Sequence, residues 1–517
     1  MRITGLTLSL DTIPAPVPIA RAVVDREGWR TAAQAIAAGG GRLVALWGAD
    51  RSRSDGGELA ICAAYAVTEG LVWLDLSVDA DEPRYPDIAE LHPCAGRMQR
   101  AAFDLVGLRA DGAADTRPWL NHGTWPADRF PLRAGEFEAG AFAGRQVEDY
   151  PFVRVEGDGV HEIPVGPVHA GIIEPGHFRF SIVGEKVLRL EQRLGYKHKG
   201  IERRFTQLAP LDAHRLAGRV SGDSTVAYAW AYCMALESIA RVEVPPRAAA
   251  LRALMLERER VANHLGDLGA LGNDAALAFG LAQFSRLRED WLRTSAQAFG
   301  HRMMMDCVAP GGVTVDPDPA RVEQMRVQCD AIEREVLALR AVYDEHAGLE
   351  DRFMTTGRVT AQLARRLGLT GLAGRASGQT SDLRCDHPFA PYGELGVRRS
   401  TQEGGDVAAR VAVRFDETIE SLRLIRALCA GLSAVPDARV RCDVPVRAGY
   451  GAGWVEGWRG EIFVALELDG DSIRRCHCHE PSWQNWPVLE HAVIGNIVPD
   501  FPLINKSFNL SYSGQDL

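Results

Sequence analysis

Residues 165–205 read VGPVHAGIIEPGHFRFSIVGEKVLRLEQRLGYKHKGIERRF, and this stretch sets the interpretation of the whole chain. Its run FRFSIVGEKVLRL has apolar residues on both sides of Gly184-Glu185, which predicts a β-hairpin that turns there. A Gly/Pro turn with two histidines precedes the hairpin, and the segment GYKHKGIE follows it. We therefore expect paired strands with titratable side chains on both flanks.

Four residues of this stretch are candidate catalytic groups, namely His169, His177, His198 and Glu202. An imidazole in a partly wet cavity titrates near neutral pH, and a buried carboxyl group has a raised pKa that suits proton transfer. The alternative is that these groups only hydrogen-bond one another and hold irregular loops in place. The same polar chain is predicted to include Arg375, Asp382, Arg384 and His387.

The pattern along the rest of the chain predicts an α+β protein. Residues 1–140 are predicted to form an N-terminal α/β sandwich-like domain, 141–154 a linker, and 155–517 a mainly α-helical core domain with peripheral β-hairpins. The N-terminal strands are predicted at 41–50, 59–67 and 71–79, with a short helix at 100–108. Core helices are predicted at 211–240, 247–270, 279–305, 318–346, 358–367 and 405–433, and a further hairpin at 453–478.

Composition excludes several classes of protein. The formal net charge is −10, which does not favour nucleic-acid binding. No stretch is apolar for long enough to predict a membrane span. The ten cysteines form no Cys-x-x-Cys pair, so the usual spacing for iron–sulfur clusters and zinc fingers is absent. No Gly-x-Gly-x-x-Gly element supports binding of NAD by this chain.

Four further motifs follow in order: LERERVANHLGDLGALGNDAA (256–276), HRMMMDCVAPGGV (301–313), GLAGRASGQTSDLRCDHPFAPY (371–392) and GWVEGWRGE (453–461). Together with residues 165–205 they resemble the 49-kDa quinone-site subunit of complex I and the large subunits of group 4 membrane-bound nickel–iron hydrogenases. Residues 1–140 resemble the complex I 30-kDa subunit, which is fused to the large subunit in several members. The resemblance implies that the candidate histidines line the active cavity and that Glu202 lies beside it.

The hydrogenase members carry two Cys-x-x-Cys pairs that supply four thiolates to a nickel–iron centre. At the matching positions this chain has Ser221 and Ser224 in the early pair and Ser511 and Gly514 in the late pair. Hydroxyl groups and a glycine do not replace soft thiolate ligands. We therefore expect no nickel–iron centre and no metal bound by this chain. Quinone stays a candidate ligand, although Gly222 stands where quinone-binding members carry a tyrosine.

Asp223, Asp382 and Arg459 are the candidate cofactor-binding residues. Asp223 adds a carboxylate that neither family pattern has, and the resemblance implies that Arg459 faces the diatomic iron ligands of hydrogenases. Without a metal, we expect Arg459 to pair with Asp223 or Glu202. The run Cys476-His477-Cys478-His479 would place its cysteines on one face of a strand and its histidines on the other, so one metal would not easily take all four.

The resemblance implies a large core subunit of a membrane-associated, energy-converting oxidoreductase complex that couples electron transfer to proton or ion translocation. Its implied partners are a small iron–sulfur subunit like the complex I 20-kDa subunit, a ferredoxin-like subunit and antiporter-like membrane-arm subunits. The iron–sulfur cluster belongs to a partner, and the chain is expected to be peripheral on the cytoplasmic face of the membrane. The alternative is an inactive structural or coupling subunit that scaffolds the iron–sulfur partner and the membrane arm.

Overall fold

The computed structural model describes residues 8–52, 58–135, 150–169, 173–432 and 438–517. It has the predicted α+β architecture, with small sheets placed around a large group of helices. Most of the predicted linker at 141–154 lies outside the described residues. In the part of the chain that the structure describes, no helix is both long and apolar enough to cross a membrane.

The N-terminal elements form a five-stranded sheet with a helix on its edge strand, and a separate pair of short parallel strands. They are β1 (Asp11–Ile13), β2 (Ile19–Val24), α1 (Arg26–Ala38), β3 (Arg42–Asp50), β4 (Leu59–Val67), β5 (Gly70–Val78), β6 (Arg84–Pro86), α2 (Ala95–Val106) and β7 (Arg109–Asp111). The sheet order is β1-β2-β5-β4-β3, with β2 and β5 parallel and the other neighbours antiparallel. The three predicted strands are therefore confirmed as β3, β4 and β5. Helix α2 packs against β3 and begins at Ala95, earlier than predicted.

The predicted hairpin at Gly184-Glu185 is confirmed. Strands β8 (Val160–Val165), β9 (His177–Val183) and β10 (Lys186–Arg193) form an antiparallel sheet in the order β10-β9-β8. Gly184 has a φ of 60°, the left-handed conformation that glycine adopts readily. The rings of Phe178 and Phe180 each lie 4.9 Å from the ring of Phe501, which anchors the hairpin to the C-terminal part of the chain.

Helices fill the central part of the chain, as the apolar spacing predicts. They are α3 (Ile201–Phe205), α4 (His214–Ala217), α5 (Thr225–Ala240), α6 (Pro246–Asp274), α7 (Ala278–Phe299), α8 (Pro319–Glu345), α9 (Ala347–Phe353), α10 (Ala361–Leu367), α11 (Gly371–Arg375), α12 (Leu383–Asp386), α13 (Tyr392–Leu395) and α14 (Val407–Leu432). The short strands β11 (Val308–Ala309) and β12 (Gly312–Val313) pair between α7 and α8. Helix α6 lies against both α7 and α14.

The single helix predicted at 211–240 is wrong in its extent. The segment contains α4, a 3-10 turn at Gly222–Ser224 and then α5. Ser221 has an extended backbone with φ −139° and ψ 115°, so the helical hydrogen bonds cannot run through it. This break places Ser221 and Asp223 at the N-terminal end of α5, where Ser221 is buried and the Asp223 side chain is 33% exposed.

The C-terminal part returns to strands and short helices. Its elements are β13 (Gly449–Glu456), β14 (Glu461–Asp469), β15 (Ser472–His479), α15 (Ser482–Ala492), a 3-10 turn (Val498–Asp500), α16 (Phe501–Phe508) and α17 (Tyr512–Asp516). The hairpin predicted at 453–478 is a three-stranded antiparallel meander, because the chain reverses once more before β14. Strand β13 packs on the fully buried α5, where a Cβ atom at Gly453 would lie 1.9 Å from Ala231 O. Glycine is therefore needed for this close contact.

Buried ion pairs join the N-terminal sheet to the C-terminal meander. Arg51 binds Glu467 through two hydrogen bonds of 2.6 and 3.0 Å. Arg42 binds Glu461 in the same bidentate way, with one contact of 2.8 Å. Glu467 is 1% exposed, so it depends on the guanidinium for its charge compensation.

Arg51→Met is expected to lower the free energy of unfolding by about 3 kcal/mol, because it leaves the buried Glu467 carboxylate without this partner. The double variant Arg51→Met/Glu467→Leu is the matched control, since it removes both charges and should recover most of the loss. Urea unfolding followed by tryptophan fluorescence measures both. Equal free energies of unfolding for the single and double variants would contradict the proposed energetic contribution of this pair.

Candidate functional site

The four positions that the resemblance matches to the thiolate pairs of hydrogenases are connected in the structure, although Ser221 and Ser511 are 290 residues apart. The Ser221 and Ser511 hydroxyl oxygens lie 2.9 Å from each other. Ser224 N donates to Ser221 O at 3.0 Å, and Gly514 N donates to Ser511 Oγ at 2.8 Å. All four residues are buried. The fold therefore brings the early and late pairs to one place, where they present hydroxyl groups.

Arg459 pairs with Asp223 beside these serines. One guanidinium nitrogen lies 3.0 Å from Asp223 Oδ1, and a second contacts Oδ2. The Arg459 guanidinium also donates to Asn509 O at 2.5 Å and lies over the Trp458 ring at 4.1 Å. Burial alone would raise the pKa of Asp223, but the Arg459 guanidinium lowers it below its ordinary value. Of the two expected partners of Arg459, Asp223 is the one that it binds.

Two buried carboxyl groups near this pair were not predicted from the sequence. Burial raises the pKa of Glu480 to about 7 and that of Glu259 to about 8. A Cβ atom at Gly514 would lie 2.6 Å from Glu480 Oε1, so the carboxyl group reaches the space beside that glycine. Glu259 accepts hydrogen bonds from Val226 N at 2.7 Å and Ala227 N at 3.3 Å, at the start of α5. Glu259 stands inside the motif at 256–276, whereas no sequence signal singled out Glu480.

The expectation of a raised pKa for Glu202 is wrong. Glu202 is buried, and burial alone would raise its pKa. However, Arg475 and His477 bind its carboxylate at 2.9 Å and 2.6 Å, and together they lower the pKa to about 2. Glu202 is therefore ionised at neutral pH. Both partners come from β15, which the sequence did not connect with α3.

The three candidate histidines lie in two places. His169 Nε2 is 2.8 Å from Gly176 O, and His177 Nδ1 is 3.3 Å from Gly166 O, so both bridge the turn before β9. His198 lies instead beside the C-terminal segment, with Nδ1 2.8 Å from Asp516 O. Burial lowers the pKa of His177 and of His198, which favours neutral imidazoles.

Asp382 belongs to a separate buried network rather than to the Asp223 pair. Its carboxylate caps α12 and binds Arg384 at 2.7 Å, and Arg384 contacts Glu257 at 3.1 Å. Arg375 binds Glu417 and Glu456, each at 2.8 Å. The predicted arginines and Asp382 thus all lie in buried ion pairs, and the glutamates of α6, α14 and β13 that take part were not assigned from the sequence. His387 lies against the Trp454 ring at 5.7 Å.

The predicted alternation of Cys476-His477-Cys478-His479 fits the observed strand β15. The two imidazole rings lie on one face, 5.8 Å apart. Within the described ranges, no group of three or more His, Cys, Asp or Glu side chains is arranged to hold a metal ion. The oxygen donors and the guanidinium at the serine cluster also do not fit a nickel–iron centre, which requires soft ligands.

Ser221→Cys/Ser511→Cys is expected to form a disulfide under mild oxidation, because the two hydroxyl oxygens lie 2.9 Å apart. Peptide mapping by mass spectrometry detects the cross-link between the segment before α5 and the C-terminal segment. Each single cysteine variant serves as the control. A folded double variant that stays reduced would contradict this juxtaposition.

Glu202→Gln is expected to lower stability by about 3 kcal/mol at pH 7, because the ionised carboxylate stabilises the fold. Since the pKa is about 2 in the folded chain against an ordinary 4.5, this contribution is complete above about pH 5 and is lost as pH falls towards 2. Urea unfolding at several pH values should show the two proteins converging in acid. A constant difference down to pH 3 would contradict the assignment.

Two family models match the chain. The model of the respiratory-chain NADH dehydrogenase 49 Kd subunit matches residues 274–445, and that of the 30 Kd subunit matches residues 22–139. Formate hydrogenlyase subunit 5 of Escherichia coli (strain K12) is 31% identical over 489 residues, which cover 92% of this chain and 85% of that protein. The C/D polypeptide of the NADH-quinone oxidoreductase of Phocaeicola vulgatus is 26% identical over 427 residues, which cover 78% of this chain and 81% of that protein.

A solved structure is also similar to this chain. A chain of the membrane-bound sulfane sulfur reductase, an archaeal respiratory membrane complex, superposes with a TM-score of 0.65 at 25% identity. The match covers 69% of this chain and 99% of the archaeal chain. The chain therefore belongs to the family of the complex I 49-kDa and 30-kDa subunits, in the fused form found in hydrogenase-like relatives and in the C/D polypeptide of NADH-quinone oxidoreductase.

Proposed function

We propose that this chain is the large core subunit of a membrane-associated redox complex that works without a nickel–iron centre and handles protons around Asp223. The observation that carries the proposal is the residue composition of the Asp223 cluster, which consists of Ser221, Ser511, Asp223 and Arg459. Ser221 and Ser511 meet there at 2.9 Å, and the Asp223–Arg459 ion pair lies against them. Oxygen donors next to a guanidinium suit proton and charge exchange rather than a soft metal pair.

Glu480 and Glu259 support proton handling at this cluster. Burial raises the pKa of both groups to between about 7 and about 8, so each exchanges a proton near neutral pH. Both lie close to the ionised Asp223, whose negative charge contributes to the raised pKa in each case. A charge that arrives nearby would therefore change their proton occupancy, which is how electron transfer and proton uptake become coupled.

The proposed electron donor is an iron–sulfur cluster held by a small subunit like the complex I 20-kDa protein. A ferredoxin-like subunit and antiporter-like membrane subunits would complete an assembly in which this chain is peripheral, on the cytoplasmic face. The names of the relatives supply two candidate acceptors, quinone and sulfane sulfur. Coupling to proton or ion translocation is part of the proposal.

A scaffolding role is the second candidate, and one observation favours it. The Arg459 guanidinium is held on several sides by Asp223, Asn509 and Trp458. A group held in this way is well suited to fixing the positions of the surrounding segments. In that case the chain would support an iron–sulfur partner and the membrane arm without reacting itself.

Glu480→Gln is expected to reduce redox turnover of the purified native assembly about tenfold or more, because the amide cannot exchange a proton. Turnover is measured with quinone and with polysulfide as acceptors, together with the nickel content. Glu323→Gln on exposed α8 is the matched control and should leave turnover unchanged. Stoichiometric nickel would contradict the metal-free centre, and unchanged turnover in Glu480→Gln would favour the scaffolding role.

A further inference from the structure

Strand β15 and helix α15 border a cavity of about 20 Å³ that lies outside the Asp223 cluster. His477, His479 and Trp483 line it, and each is at most 4% exposed. Among the residues that the structure describes, His477 Nε2, His479 Nδ1 and Trp483 Nε1 find no hydrogen-bond partner. The ring of His479 lies 5.8 Å from that of His477 and 5.9 Å from that of Trp483. Three unpartnered buried nitrogens on residues that line one small cavity point to a bound ligand.

In each imidazole, one ring nitrogen makes a hydrogen bond, and this bond fixes the tautomer of the ring. Glu202 is ionised, so His477 Nδ1 donates to Glu202 Oε1 at 2.6 Å and Nε2 keeps a lone pair. The Gln484 amide nitrogen donates to Val44 O, which turns Gln484 Oε1 towards His479 Nε2 at 3.1 Å. His479 Nε2 is therefore the donor, and its Nδ1 also keeps a lone pair.

One water molecule complements this set of atoms. Trp483 Nε1 can only donate a hydrogen bond, whereas the free nitrogens of His477 and His479 can only accept one. A water molecule accepts once and donates twice in such a site. The tryptophan N–H disfavours a cation, and the two lone pairs disfavour an anion. The volume of about 20 Å³ exceeds the roughly 10–15 Å³ that a single water requires.

We propose that this cavity binds one water molecule and that the water and the Glu202–His477 pair form a proton-accepting site, with His479 and Trp483 as positioning residues. The inference rests on the proposed redox role and adds a second proton site to it. A proton that reaches the water passes on to His477 Nε2, so the water stays neutral and the Glu202 carboxylate balances the charge on the imidazolium. Burial opposes that charge most strongly and keeps the pKa of His477 below its ordinary value; Arg475 also faces the ring and opposes the charge, as would a protonated His479.

Glu202 connects this site to a larger cavity. A space of about 180 Å³ is lined by Glu202 together with His198, Arg203 and Trp125. Glu202 thus lines both cavities. It meets His477 at Nδ1, so the larger cavity lies on the side of the pair that carries the negative charge.

A density map of the full-length chain that resolves ordered water tests the binding site. One water is expected within about 2.7–3.2 Å of all three nitrogens. His479→Asn should keep it, because the Asn oxygen accepts a hydrogen bond near the Nδ1 position, whereas His479→Phe should lose it. Trp483→Phe removes only the donor and should lower the occupancy. A map that shows other buried waters but not this one would overturn the site.

Proton uptake during turnover of the native assembly tests the proton-accepting role. His479→Phe is expected to slow uptake about tenfold or more, and His479→Asn less than about twofold. Equal rates in the two variants would overturn the role. An assembly without redox turnover would contradict the proposed function. In that case ¹⁵N NMR of the chain would decide this inference. A neutral His477 with Nδ1 protonated would support it, and a neutral His477 with Nε2 protonated would overturn it.

Discussion

The Asp223–Arg459 ion pair is the constraint on which the centre of the molecule depends, because four separate segments meet at it. Asp223 precedes α5, Arg459 follows β13, and Asn509 begins the C-terminal segment that accepts a hydrogen bond from the same guanidinium. Helix α6 joins them through Asn263, whose side chain donates to Asp223 O at 2.8 Å. Removing Asp223 would leave the buried Arg459 guanidinium without this partner, which is costly in a medium of low polarity.

Other buried arginines of the described residues also pair with carboxylates. Arg252, Arg258, Arg260 and Arg375 are among the most completely buried large side chains of the described residues. Arg252 binds Glu237 at 2.6 Å, and Arg375 binds two glutamates. Such pairs contribute little net stability but penalise any packing that separates the partners. They therefore fix how the helices and the C-terminal meander lie against each other, which a purely apolar interface would leave less specific.

The periodicity of apolar residues made the helices and strands predictable. Pairing between residues that are far apart in the sequence limited the prediction of the site. Alternating and apolar runs identified β3, β4, β5 and the β9–β10 hairpin, because each pattern is local. The helix predicted at 211–240 was too long, since periodicity does not register the single extended residue Ser221. The pKa of Glu202 was assigned the wrong direction because its partners lie on β15, 273 and 275 residues away. Local sequence cannot indicate which charges meet after folding.

Glu480 and Gly514 lie in close contact at the centre of the molecule. A side chain at position 514 would bring its Cβ atom to 2.6 Å from Glu480 Oε1, within a site that is fully buried. The carboxyl group would have to move, and its pKa of about 7 indicates that the surroundings barely support its charge even where it now lies. Glycine at 514 and glutamate at 480 are therefore physically linked. A cysteine at position 514 would displace the buried Glu480 carboxyl group.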